Sequence, residues 1–172
     1  MNAKKIAITT TSFAQFDEQP LRLLQGKGFE LAFNRRGRVL NPQEIPRLLE
    51  DCEGVIAGTE IYTTDILGAL KNLQVISRCG SGLDNIDVES CKKLNIQVYT
   101  TSDGPALAVA ELVIGLMLNL LRHISLTDRA MRQGIWDKKM GSLFAGKEVG
   151  IVGLGKIGKE VARLSTALGA GI

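Results

Sequence analysis

Three features of this 172-residue sequence predict an α/β fold. Short apolar runs alternate with amphipathic stretches over the first hundred residues. The pattern gives way after Tyr99 to one long helix. A Gly153-x-Gly155-x-x-Gly158 turn then stands directly behind a further apolar run. Strand, helix, strand in regular alternation requires parallel pairing with right-handed crossovers. The expected architecture is a flavodoxin-like doubly wound parallel sheet followed by the start of a Rossmann dinucleotide-binding domain.

The elements follow in chain order. Strands are expected at Ile6 to Thr9, Phe29 to Ala32, Gly54 to Ala57, Leu73 to Ser77 and Ile96 to Tyr99, with helices between them. Asn41-Pro42-Gln43-Glu44 supplies a cap, a proline at the first helical position and a glutamate at the third, a helix start expected to run to about Cys52. Thr63 or Thr64 and Asp87 open two further short helices. A long helix is expected from about Leu107 to Arg122, then a second helical stretch to about Gln133, a turn at Gly134 and an irregular segment around Trp136. Residues 1–100 therefore form one domain, and 101–172 hold bridging helices and the first βα unit of another.

Composition limits the function classes. With 45% apolar and 23% charged residues the chain buries a substantial core. The net charge of +3 is scattered, and its densest point, Arg35, Arg36 and Arg38 around Gly37, reads as a solvated loop without aromatic platforms, so nucleic acid is not implied. Cys52, Cys79 and Cys91 match neither a metal knuckle nor a disulfide framework, which points to reduced thiols and a cytoplasmic setting. No metal site is expected. The apolar stretch Ala106 to Leu121 falls short of the roughly 20 residues that cross a bilayer and carries Glu111 and Asn119, so it reads as a buried helix with no membrane role.

The glycine turn carries the most specific chemistry. Gly153 permits a tight strand-to-helix turn, Gly155 lets backbone amides approach a pyrophosphate, and Gly158 lets the helix pack closely on the strand. The run Val149 to Val152 supplies the strand, and Ile157, Val161, Leu164 and Leu168 supply an amphipathic helix that stops at Gly169. An acidic residue for the ribose is expected about 20 residues into such a motif. Only fourteen residues follow Gly158, so the sequence reads as the front part of a longer protein.

Three blocks carry a family resemblance: SRCGSGLDNIDVESCKKLNIQVYTT, VAELVIGLMLNLLR and GLGKIG. Together, at these spacings, they resemble the NAD-dependent D-2-hydroxyacid dehydrogenase family, and most closely its members that oxidise 3-phosphoglycerate. The resemblance implies an oxidoreductase that moves a hydride between NAD and C2 of a small 2-hydroxy acid. A hydroxypyruvate or glyoxylate reductase is the alternative within the family, and a non-catalytic cofactor-binding or dimerisation module the alternative outside it. NADP stays open beside NAD.

By the same resemblance, the loop Gly80-Ser81-Gly82 offers backbone amides to the substrate carboxylate, and Arg78 stands where an arginine meets the charged substrate. Thr101 matches a threonine that touches the cofactor. Gly153, Gly155, Lys156, Ile157 and Gly158 form the cofactor turn, with Lys156 where relatives more often carry arginine. Ala108 replaces a frequent serine ahead of Val109-Ala110-Glu111. The helix Ala106 to Arg122 is implied to make a homodimer, and the family's catalytic arginine, glutamate and histidine are expected beyond Ile172. His123, the one histidine, reads as a helix-terminal residue rather than the base. Glu111 is expected to pair with a cation or cap a loop at an interface, and Asp84 and Asp87 to serve as turn and cap.

Overall fold

The computed structural model describes residues 3–101 and 104–172, and the chain divides into two compact units, 1–102 and 103–172. The first contains a five-stranded sheet of β1 (Lys5–Ile8), β2 (Glu30–Phe33), β3 (Gly54–Ala57), β4 (Val75–Arg78) and β5 (Gln97–Thr100). The order is β2-β1-β3-β4-β5 and every pairing is parallel, as the flavodoxin-like reading expects.

The register explains the core. Ala32 pairs with Ala7, Ala7 with Val55, Val55 with Ile76 and Ile76 with Val98, so one row of apolar side chains crosses all five strands on one face. That row packs with Ile45 and Leu49 of α2 (Ile45–Leu49), Ile66 and Leu67 of α3 (Thr64–Ala69) and Cys91 of α4 (Val88–Lys93). The opposite face is less covered. Ile6, Ile56 and Val75 there are half-buried, and α1 (Gln19–Gly26) buries none of its residues.

Caps placed α3 and α4 correctly. The Thr63 hydroxyl accepts from the Ile66 N–H, and the Asp87 carboxylate accepts from the Ser90 N–H. The helix after Asn41 differs from expectation: α2 begins at Ile45 and ends at Leu49, and no side chain caps it. Pro46 has no N–H to give to the turn before it, so the ladder starts later. Glu44 still reaches back to accept from the Asn41 N–H at 2.8 Å, which is half of the expected capping box.

The second unit holds α5 (Pro105–Arg122), α6 (Ile124–Arg132) and α7 (Lys156–Ala167). Ile114, Phe144 and Ala170 are its buried centre, with Met117, Leu121, Val149 and Leu164 packed around them. His123 joins α5 to α6 in the left-handed region (φ 55°), a conformation His tolerates better than most residues, and its N–H donates to Asn119 O. Gly134 turns the chain at φ 74°.

Two expectations fail in this unit. Val149 to Val152 does not form a ladder: Glu148 and Gly171 make a single parallel bridge, in which Val149 donates to Gly171 O and Gly171 to Lys147 O. Among the described residues only 169–171 offers it an edge, and Val152 is fully exposed. The pairing is nonetheless the parallel start of a βαβ unit with α7 as its crossover. Nor is the long apolar helix buried. Only Ala110 and Ile114 of α5 are, because α7 and Phe144 cover one side alone, and by length and composition α5 passes as a membrane-spanning helix.

Candidate functional site

Parallel strands place all their following loops at one end, and ligands of such sheets bind there. In the first unit this edge carries Thr9, Gly58 to Glu60 and Arg78 to Gly82. The strand order reverses between β1 and β3, the usual crevice. Here Glu60 closes it. Its buried carboxylate accepts from the Thr9 hydroxyl at 2.9 Å and the Gly58 N–H at 2.8 Å. Tyr62 is buried beside it, and that burial pushes its phenol well above the ordinary range.

With the switch point filled, the open polar surface lies over β4. Gly80 takes φ 142°, where a side chain is strained, and a Cβ there would also strike the Arg78 guanidinium. Thr101 clamps Gly80 twice: its Oγ1 accepts from the Gly80 N–H at 2.7 Å and its own N–H donates to Gly80 O at 3.1 Å. Ser81 and Gly82 are exposed beside this committed amide. The Arg78 guanidinium lies over the loop, with Nη1 donating to Cys79 O and Nε to Asn85 Oδ1 at 3.4 Å. Arg78, Ser81 and Gly82 thus share one place, and Thr101 is the strut that shapes it.

The glycine turn of the second unit divides its labour among three glycines. Gly153 adopts φ 97°. A Cβ on Gly158 would run into Gly153 O and lie 3.4 Å from Ile151 Cγ2, so close helix packing excludes a side chain. A Cβ on Gly155 would meet nothing within 4 Å. Gly155 therefore keeps open space rather than a protein contact. It is the N-cap of α7 and gives no side-chain cap, and the first helical bond is Lys159 N–H to Gly155 O at 3.0 Å. The amides of Lys156, Ile157 and Gly158 at the start of a 12-residue helix, with no acidic residue in its first turn, suit an anion. The residues present fit a pyrophosphate.

The remaining sequence candidates resolve as structure. Asp87 accepts from Thr64 Oγ1 (2.6 Å) and from Ser90, and the Thr64 bond above all lowers its carboxyl to about 2. Arg38 grips Glu44 through two 2.8 Å bonds, which hold that carboxyl near 2. Cys52 and Cys91 are buried, Cys79 is exposed and all three are free thiols. Glu111 is exposed on α5, with no ion pair or loop amide among the described residues of its own chain. Ile157 on α7 and Leu168 at its C-cap are exposed while Val161 and Ser165 are buried. Glu60 and Asn85 were not foreseen: isolated polar residues in loops carry no periodic signal.

The catalytic-domain profile of the D-isomer specific 2-hydroxyacid dehydrogenases matches residues 6–163. D-3-phosphoglycerate dehydrogenase of Rattus norvegicus is 36% identical over 172 residues, which is 98% of this chain and 31% of that relative. Hydroxypyruvate reductase of Thermotoga maritima is 40% identical over 133 residues, 76% of this chain and 44% of that one. Among solved structures, the NAD+-bound 3-phosphoglycerate dehydrogenase of Entamoeba histolytica superposes with a TM-score of 0.78 at 27% identity, covering 99% of this chain and 53% of that one. The chain thus spans less than half the length of these curated relatives.

Proposed function

The chain belongs to the D-isomer specific 2-hydroxyacid dehydrogenase family, and from that premise we propose that its first unit holds a 2-hydroxy acid and its second the pyrophosphate of NAD. The observation that carries this reading is the α7 N-terminus, whose N-cap Gly155 gives no side-chain cap and has open space where a Cβ would stand, while Gly153 takes the left-handed turn and Gly158 packs on it. Gly153, Gly155, Lys156, Ile157 and Gly158 are the cofactor turn. Arg78, Ser81 and Gly82 bind the acid, and Thr101 fixes the loop they stand on. Bound NAD supplies the hydride acceptor for C2 of the acid. His123 takes no part in proton transfer, since its place is the α5 terminus.

The guanidinium beside the loop amides favours a substrate with a second anionic group, such as 3-phosphoglycerate, which would place the protein in serine biosynthesis. Hydroxypyruvate reduction is the second reading, favoured by the 40% identity to the Thermotoga maritima enzyme. Free Cys52, Cys79 and Cys91 are in keeping with a reducing cytoplasm. The exposed stripe of α5 supports a homodimer, with neither nucleic acid nor membrane as partner.

Titration with NAD followed by amide resonances tests the reading. Shifts are expected at Gly153 to Gly158 in the wild type and none in Gly155→Val, whose side chain occupies the phosphate space. Equal binding by the two proteins overturns it. NADP in parallel reports cofactor preference.

A further inference from the structure

Two polar side-chain pairs, Thr9 with Glu60 and Arg78 with Asn85, meet through the backbone of the loop behind β3 at the C-terminal edge of three adjacent strands. Thr9 at the end of β1 donates to the Glu60 carboxylate behind β3. Asn85, in the loop behind β4, donates from Nδ2 to Glu60 O at 2.6 Å and to Gly58 O at 3.3 Å. Its Oδ1 accepts from Arg78 Nε. Both amide protons of Asn85 are thereby spent on the backbone of the neighbouring loop, and only its oxygen faces the arginine. A flipped amide would set that oxygen against two carbonyls, so the network fixes the orientation. The main chain adds a further tie, with the Tyr62 N–H donating to Asn85 O at 2.8 Å.

We infer that Asn85 is a positioning residue, which sets the direction in which Arg78 presents its guanidinium to an anion at the Gly80-Ser81-Gly82 loop. The inference rests on the proposed role of that loop as the acid site. An arginine side chain loses rotamer freedom when it binds, and an acceptor that already holds its Nε removes part of that cost. With Nε on Asn85 and Nη1 on Cys79 O, the Nη2 side is what remains for a ligand. Asn85 also ties that direction to the loop behind β3, so Arg78 and the β3 loop keep one geometry. Asn85 touches no ligand itself.

The test is a nuclear magnetic resonance titration of the full chain with D-3-phosphoglycerate and with D-glycerate, in the wild type, Arg78→Ala, Asn85→Ala and Asn85→Asp. Thermal melting of each protein is measured alongside. Aspartate keeps an acceptor for Arg78 Nε but loses both donated bonds. Asn85→Asp is therefore expected to melt lower and still prefer the phosphorylated acid. Asn85→Ala frees the arginine, and its preference is expected to fall about tenfold, toward that of Arg78→Ala. A purely structural Asn85 would lower melting in both variants and change the preference in neither, which overturns the inference. A preference unchanged in Arg78→Ala overturns it too, while leaving the loop as the acid site. Should Asn85→Ala not fold, Asn85→Leu, of similar shape and without an acceptor for Arg78 Nε, takes its place: a fallen preference upholds the inference and an unchanged one overturns it. Wild type that binds neither acid refutes the acid-site reading itself, a result distinct from all the others.

Discussion

Gly155 and Gly158 are glycine for opposite reasons, one facing open space and the other facing Gly153 O. Stability separates them. Gly158→Ala forces a Cβ into backbone and is expected to cost about 1–3 kcal/mol. Gly155→Ala, at an N-cap with ordinary negative φ and open space for its Cβ, should cost less, about 0.5–1 kcal/mol, the loss of glycine's advantage as a cap. Denaturant unfolding of the two variants checks this, and equal losses would contradict the division of roles. Asp87 gives a second test, in pH. Its folded carboxyl titrates near 2, below the ordinary 3.8, because Thr64 and Ser90 donate to the ionised form. A lowered carboxyl contributes stability that is fully present above about pH 4 and is lost as the pH falls through about 2. Asp87→Asn should therefore unfold at lower denaturant than wild type at pH 5, and the gap should shrink at pH 2. A gap that is the same at both values would show that the charge is not what holds the Thr64 and Ser90 hydroxyls.

At the level of elements, the strands were legible because each is a short apolar run, and α3 and α4 because Thr63 and Asp87 mark their starts. What sequence reading lost has physical causes. Pro46 delays α2 by withholding an N–H, although a capping pattern precedes it. The run at Val149 looks like a strand by composition, but a ladder needs edges that the described residues do not supply. Arg78, Gly80 and Thr101 were recognisable from their block; that Thr101 props the loop rather than only facing a cofactor depends on the register of β4 against β5. Glu60 and Asn85 act through a meeting of three loops that no local pattern encodes. The register also makes the core one-sided, which mutation can read. Ile76→Ala, fully buried within the apolar row, is expected to cost about 2–5 kcal/mol. Ile56→Ala, half-buried on the other face, should cost clearly less. Chemical denaturation of both decides, and equal costs would mean that the second face is packed as fully as the first.

At the scale of the whole molecule, the question is what covers α5. Leu112, Leu116 and Leu120 are 62%, 52% and 74% exposed and lie four residues apart, so they form one stripe along the helix. Bilayer, unrelated partner and second copy are the three ways to cover it. Glu111 lies next to the stripe, and a carboxylate among lipid chains is costly. Gly115 stands between Leu112 and Leu116 without a side chain, so two such helices can approach closely about a twofold axis, each giving and receiving the same surface. Trp136 and Met140, both largely exposed, enlarge the apolar area of the same unit toward the roughly 1,000 Å² that a stable interface needs. The expected species at micromolar concentration therefore sediments at twice the chain mass of 18.6 kDa. Leu116→Glu places a charge in the centre of the contact and should yield a folded monomer with an unchanged far-ultraviolet spectrum, since Leu116 is not part of the core. A wild type that sediments as a monomer would rule out the second copy as the cover, and co-sedimentation with lipid vesicles would assign the stripe to a membrane instead.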